Sequence, residues 1–125
     1  MTRIGALGEN EWTLMKICWQ KGFACGKEIY DEIVKEKKLQ YTTVKTSLDR
    51  LANKGFLKRV KHGSIWFYTP LLSEEQVKTN AIKEFAHTVF GNKIAPIFLH
   101  FIKDEKYSEE IDELRSAIND IDEEE

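Results

Sequence analysis

The sequence predicts a mainly α chain with a small β-wing: a winged helix-turn-helix domain followed by a C-terminal helical region. Three observations lead there. The stretch Thr42–Gly55 has helical periodicity and carries hydroxyls and cations on its outer face. A basic, β-rich hairpin pattern, Phe56–Thr69, follows it at once. Beyond Pro70 the chain returns to helical spacing, with a segment that is apolar almost all round.

At 125 residues, 42% of them hydrophobic, the chain is long enough for one small domain with an appendage. No run approaches transmembrane length, so no membrane insertion is expected. Arg3 is not followed by a long apolar stretch, so the N-terminus lacks a signal-peptide pattern and the cytoplasm is the expected location. Cys18 and Cys25 have no metal-ligand spacing and read as reduced thiols, and no cofactor or metal is expected. The net charge of −2 conceals an asymmetry. Residues 1–73 hold 13 Lys and Arg against 7 Asp and Glu, whereas residues 74–125 hold 6 against 14. Between Val44 and Lys61 lie six cations and a single anion, Asp49. Such a local patch attracts phosphate whatever the overall charge.

The first helix starts at Gly8, with Glu11 three residues on to reach back to the cap N–H, and with Leu7 and Trp12 at the staple positions. Trp12, Met15, Cys18 and Trp19 continue its apolar stripe to a stop at Lys21-Gly22. A second helix runs from near Cys25, its N-cap, to about Lys37; Glu28 occupies N3, and Ile29, Ile33 and Val34 form the buried side. A thiol at a helix N-terminus invites a redox reading, but inert packing is the simpler account of Cys25.

After the short link Lys38–Tyr41 comes the third helix. Val44, Leu48, Leu51 and Ala52 fall at i, i+4, i+7 and i+8 and make its buried face. The other side presents Thr42, Lys45, Thr46, Asp49 and Asn53, flanked by Thr43 and Arg50. Gly55 stands where a helix end wants a left-handed residue. A helix of this kind fits the major groove, and Thr, Lys and Arg reach base edges and phosphates. An ordinary amphipathic surface helix would share the periodicity; the flanking elements favour a reader. Two short tightly linked helices make a helix-turn-helix whose second member reads.

Phe56–Val60 and Ile65–Thr69 are β-rich, and Lys61-His62-Gly63-Ser64 supplies turn chemistry between them. Lys58, Arg59 and Lys61 give this wing its charge, and Lys54 lies at the end of the reader helix. Leu72-Ser73-Glu74-Glu75-Gln76-Val77 combines a capping box, a staple and two first-turn acids. The helix it opens carries Ala81, Ile82, Phe85, Ala86 and Val89 and stops near Gly91-Asn92. Ile94–Ile102 is apolar almost all round, a break follows at Lys103–Lys106, and a last helix from Ser108 spaces Ile111, Leu114, Ile118 and Ile121 before fraying into Asp122–Glu125. A helix that is apolar all round must be enclosed. A two-fold dimer built on Ile94, Ile97, Phe98, Phe101, Ile102, Ile111, Leu114 and Ile118 would enclose it and set two reader helices about one DNA turn apart. Folding back onto the winged domain is the alternative. The domains are therefore taken as residues 1–72, winged and DNA-binding, and 73–125, helical and dimerising.

Several strings resemble the penicillinase-repressor family of bacterial transcription regulators (BlaI/MecI type, with copper-responsive CopY relatives). They are Leu7-Gly8-x-x-Glu11-Trp12-x-x-Met15 with Trp19; Glu28-Ile29; Tyr41-Thr42-Thr43-Val44-x-Thr46-x-Leu48-x-Arg50-Leu51-x-x-Lys54-Gly55; and Tyr68-x-Pro70. The three C-terminal helices match in order and length. The resemblance implies a dimeric repressor whose winged helices bind a palindromic double-stranded DNA operator, with Thr42, Thr43, Lys45, Thr46 and Arg50 facing the duplex. It also implies a signalling protease as partner. Antibiotic-responsive members leave DNA after cleavage of an Asn-Phe bond in the dimerisation helix, and the aligned bond here is His100–Phe101, a departure from that pattern. The copper-responsive relatives' Cys-x-Cys motif has no counterpart, because no cysteine follows Cys25.

A homodimeric transcriptional repressor is thus the expected function. A winged-helix module for protein assembly, its basic face set against an acidic partner, is the alternative. An enzyme is not expected: no Ser/His/Asp order, glycine-rich phosphate loop or HExxH motif is present, and His62, His87 and His100 have no companion spacing.

Overall fold

The computed structural model describes residues 7–124; Arg3 and Glu125, named above, lie outside them. Its elements are α1 (Glu9–Lys21), β1 (Ala24–Cys25), α2 (Gly26–Ile33), α3 (Tyr41–Asn53), β2 (Leu57–His62), β3 (Ile65–Pro70), α4 (Glu74–Phe90), α5 (Ala95–Ile102), a 3-10 turn (Glu105–Tyr107) and α6 (Ser108–Glu124). Two compact units, Met1–Ile82 and Lys83–Glu125, divide within α4. The first turns of α4 stay with the winged unit because Val77 is fully buried in its core.

That core is built from Leu14, Met15, Ile29, Ile33, Val44, Leu48, Leu51, Phe56, Leu57 and Tyr68, each at most 2% exposed. Trp12 and Trp19 pack against it, and the Trp19 indole N–H donates to the Leu72 carbonyl at 2.9 Å, tying the exit of the wing to α1. Local signals set the helix ends. The Glu11 carboxylate accepts from the Gly8 N–H at 3.1 Å, and Glu28 accepts from the Cys25 N–H at 3.1 Å. The latter bond holds the Glu28 carboxyl below its ordinary range. Ser73 and Gln76 exchange side-chain bonds with each other's N–H groups at 3.1 and 2.9 Å, as a capping box requires. At the end of α3 the Phe56 N–H bonds the Leu51 carbonyl and the Gly55 N–H bonds the Ala52 carbonyl. This is a Schellman motif, and Gly55 takes the φ of +89° it demands.

Three expectations shift. α2 closes at Ile33, so Val34 is its cap and is exposed rather than buried. The sheet has three strands, in the order β1-β3-β2, where the hairpin alone was expected. β1 pairs Ala24 with Tyr68 and Cys25 with Phe67. The hairpin turn is only Gly63-Ser64; Lys61 and His62 belong to β2, and Gly63 has φ +63° at the tip. Cys18 is buried, which pushes its thiol up to about 12 and leaves it inert.

The second unit holds α5, the 3-10 turn, α6 and the end of α4. Phe90 lies 5.8 Å from the His100 ring and Phe101 lies edge-on to Tyr107 at 5.0 Å. An apolar groove of about 330 Å³ runs between α5 and α6, lined by Phe98, Leu99, Ile102, Ile111, Leu114 and Ile118 among others. No helix among the described residues is long and apolar enough to cross a membrane.

Candidate nucleic-acid interface

The buried stripe of α3 fixes what the helix shows to water. Val44, Leu48 and Leu51 are fully enclosed, which turns Thr42, Thr43, Thr46 and Arg50 outward; all four are exposed. Lys45 is half-exposed on the same side and lies 3.8 Å from the Asp49 carboxylate one turn on. The pair spans i, i+4, as its spacing predicts.

The wing meets this face through alternation. Leu57 points into the core, so Arg59 and Lys61 follow it on the side of α3, whereas Lys58 falls on the opposite face of the sheet. The sequence reading groups the three cations; the strand separates Lys58 from the other two. Arg59 Nη1 donates to Asp49 Oδ1 at 3.2 Å, and the Tyr68 hydroxyl donates to the same oxygen at 2.7 Å. Burial, reinforced by the bond to Asp49, raises the Tyr68 hydroxyl pKa well above its ordinary value and keeps it protonated. The Arg59 guanidinium and the Lys61 ammonium both lie over the Trp66 ring, at 5.1 and 5.5 Å.

Lys54 has a second role within the fold. Its ammonium lies 3.1 Å from Glu11 Oε2 and 3.3 Å from Oε1. Glu11 is only 9% exposed, so Lys54 supplies the charge that lets this carboxylate sit in the core margin. Its position serves the join of α3 to α1.

Sequence reasoning passed over several residues of this face. A groove of about 350 Å³ opens where α2, α3 and the wing meet, and Lys27, Tyr41, Lys45, Trp66 and Tyr68 all line it. Tyr41 is 44% exposed at the head of α3. Its place beside the Thr42-Thr43 pair was visible in the sequence; Trp66 and Lys27 required the fold.

A helix-turn-helix with an outward face of hydroxyls and cations, backed by a basic hairpin, defines a winged-helix DNA-binding protein. The comparisons agree in fold and narrow the class. The Penicillinase repressor family model matches residues 7–120, and the chain belongs to that family. A penicillinase repressor of Staphylococcus aureus is 36% identical over 112 residues, 89% of each chain. The methicillin resistance regulatory protein MecI of Staphylococcus aureus strain N315 is 34% identical over 114 residues, 90% of this chain and 93% of that one. Among solved structures, the DNA-binding domain of the repressor BlaI superposes with a TM-score of 0.53 at 31% identity, covering 59% of this chain and 90% of that one. Bacillus licheniformis BlaI, in monomeric form with the blaP half-operator, gives 0.51 at 31% identity over 60% of this chain and 92% of that one. These relatives are repressors, not enzymes, and the chain is a DNA-binding transcriptional repressor of their kind.

Proposed function

We infer that the chain acts as a homodimer on a palindromic operator in the cytoplasm, with residues 1–72 reading the duplex and 73–125 joining the two copies. The observation that carries this reading is one continuous face. Thr42, Thr43, Lys45, Thr46 and Arg50 line the open side of α3, Arg59 of β2 bonds Asp49 of that helix, and Trp66 lies under Arg59 and Lys61. Thr and Lys at the N-terminal end of α3 enter the major groove, and Arg50 reaches a phosphate or a guanine edge. The wing cations follow the backbone. Affinity for duplex falls steeply with salt, because each neutralised phosphate releases counterions.

A gel shift tests the assignment. Arg50→Ala should weaken binding to a promoter fragment from the protein's own genome by about 1–3 kcal/mol. Lys54→Ala, whose ammonium sits on Glu11, should lower stability instead. Unchanged affinity in both Arg50→Ala and Lys45→Ala overturns the assignment of this face and favours the protein-assembly reading.

Derepression then follows from loss of the dimer, which removes the joint hold on two half-sites. His100 and Phe101 lie inside α5 and are exposed, and a cut between them would divide an apolar helix of the second unit. A blot that shows only full-length chain in cells treated with a β-lactam refutes a signalling protease acting at this bond.

A further inference from the structure

Asp49 is an anomaly on the DNA-facing side. It is the one anion among six cations between Val44 and Lys61, and a carboxylate there repels phosphate. Its surroundings suggest what it does. Lys45 from α3, Arg59 from β2 and Tyr68 from β3 all reach the one carboxylate, at 3.8, 3.2 and 2.7 Å. Trp66 extends the cluster: 37% exposed, it lies under both Arg59 and Lys61. Such a contact restrains two long side chains that would otherwise sample many rotamers.

The wing needs such restraint. β1 pairs with β3 only at Phe67 and Tyr68, so beyond Phe67 the hairpin is a ribbon of two strands. An isolated two-stranded ribbon is marginally stable in water. We propose that Asp49 and Trp66 are positioning residues of operator recognition. Asp49 pins the wing to the reader helix through Arg59 and Tyr68, and Trp66 holds Arg59 and Lys61 as a pair beside that helix. Presenting the cations already ordered lowers the entropy lost when DNA binds. The inference rests on the DNA-binding reading above.

Asp49→Asn separates this role from plain surface charge, because the two give opposite signs. Asparagine keeps an acceptor for the Tyr68 hydroxyl and removes the charge that holds Arg59 and Lys45. If Asp49 were only a repelling charge, every duplex would bind more tightly. Positioning requires that affinity for a promoter fragment selected by the wild-type chain falls by about tenfold, while affinity for a random duplex of equal length holds or rises. Trp66→Ala should reproduce the loss, and the double variant with Asp49→Asn should lose less than the sum of the two, since both release Arg59. A second readout needs no DNA. With 5-fluorotryptophan incorporated, the Trp66 fluorine resonance, assigned through Trp66→Phe, should shift and broaden in Asp49→Asn. Equal or tighter promoter binding by Asp49→Asn overturns the proposal, and so does an unaltered Trp66 resonance. If Asp49→Asn does not fold, wild-type promoter affinity in Trp66→Ala overturns it. A wild-type chain that selects no fragment at all refutes the DNA-binding reading instead, and the fluorine measurement still judges the clamp.

Discussion

Leu99→Asp should yield a monomer at micromolar concentration and weaken operator binding by about 10²–10⁴-fold. Leu99 is 61% exposed at the groove between α5 and α6, amid Phe98, Ile102, Ile111, Leu114 and Ile118. In the proposed dimer, apolar surface of this kind on neighbouring helices is covered when two copies meet. In a two-fold interface the substitution enters twice, and each copy then buries a carboxylate without a partner. The fold of a single copy is little affected, because the side chain already stands largely in water. Sedimentation velocity should therefore report one chain per particle, with an unchanged circular-dichroism spectrum. The loss on DNA follows from arithmetic: once one half-site is held, a tethered second copy meets its own half-site at high effective concentration. A Leu99→Asp chain that remains dimeric would move the interface away from this groove.

Phe56→Ala should destabilise the winged unit by about 3–5 kcal/mol. Phe56 is wholly buried at the point where the reader helix becomes the wing. Its N–H closes the Schellman motif on Leu51, and its carbonyl accepts from the Leu71 N–H at 2.9 Å. Truncation leaves a void shared by α3 and β2, the two elements that must be held in register for the DNA-facing side to exist. The loss is a large part of the stability of a small domain. Urea unfolding followed by tryptophan fluorescence reads it, since Trp12 and Trp19 pack on the same core. A loss below about 1 kcal/mol would mean that the site collapses around the void and that Phe56 is not the keystone its burial suggests.

What the sequence disclosed was mostly local. Ser73 with Gln76, Glu11 with Gly8, Glu28 with Cys25 and Gly55 at the end of α3 each act within a few residues, and each shows in the structure as expected. The stripe Val44, Leu48, Leu51 likewise named the buried side of the reader helix. β1 escaped notice because two residues have no periodicity; only its partner β3 makes it a strand. The Lys54–Glu11 pair is not legible in the sequence, because Glu11 lies 43 positions away in the chain. The Asp49–Lys45 pair, one turn apart, is legible in the spacing, but the bonds of Asp49 to Arg59 and Tyr68 depend on how the wing packs on α3. The separation of Lys58 from Arg59 and Lys61 is legible in the sequence. A buried Leu57 phases the whole strand and sets Lys58 on the other face.

Genome-wide footprinting of the tagged chain in its own cells tests the central claim most directly. Two copies joined by their C-terminal helices should protect discrete promoter sites, each an inverted pair of half-sites about 10 base pairs apart from centre to centre. Protection of single half-sites without two-fold symmetry, or no discrete sites at all, would contradict it.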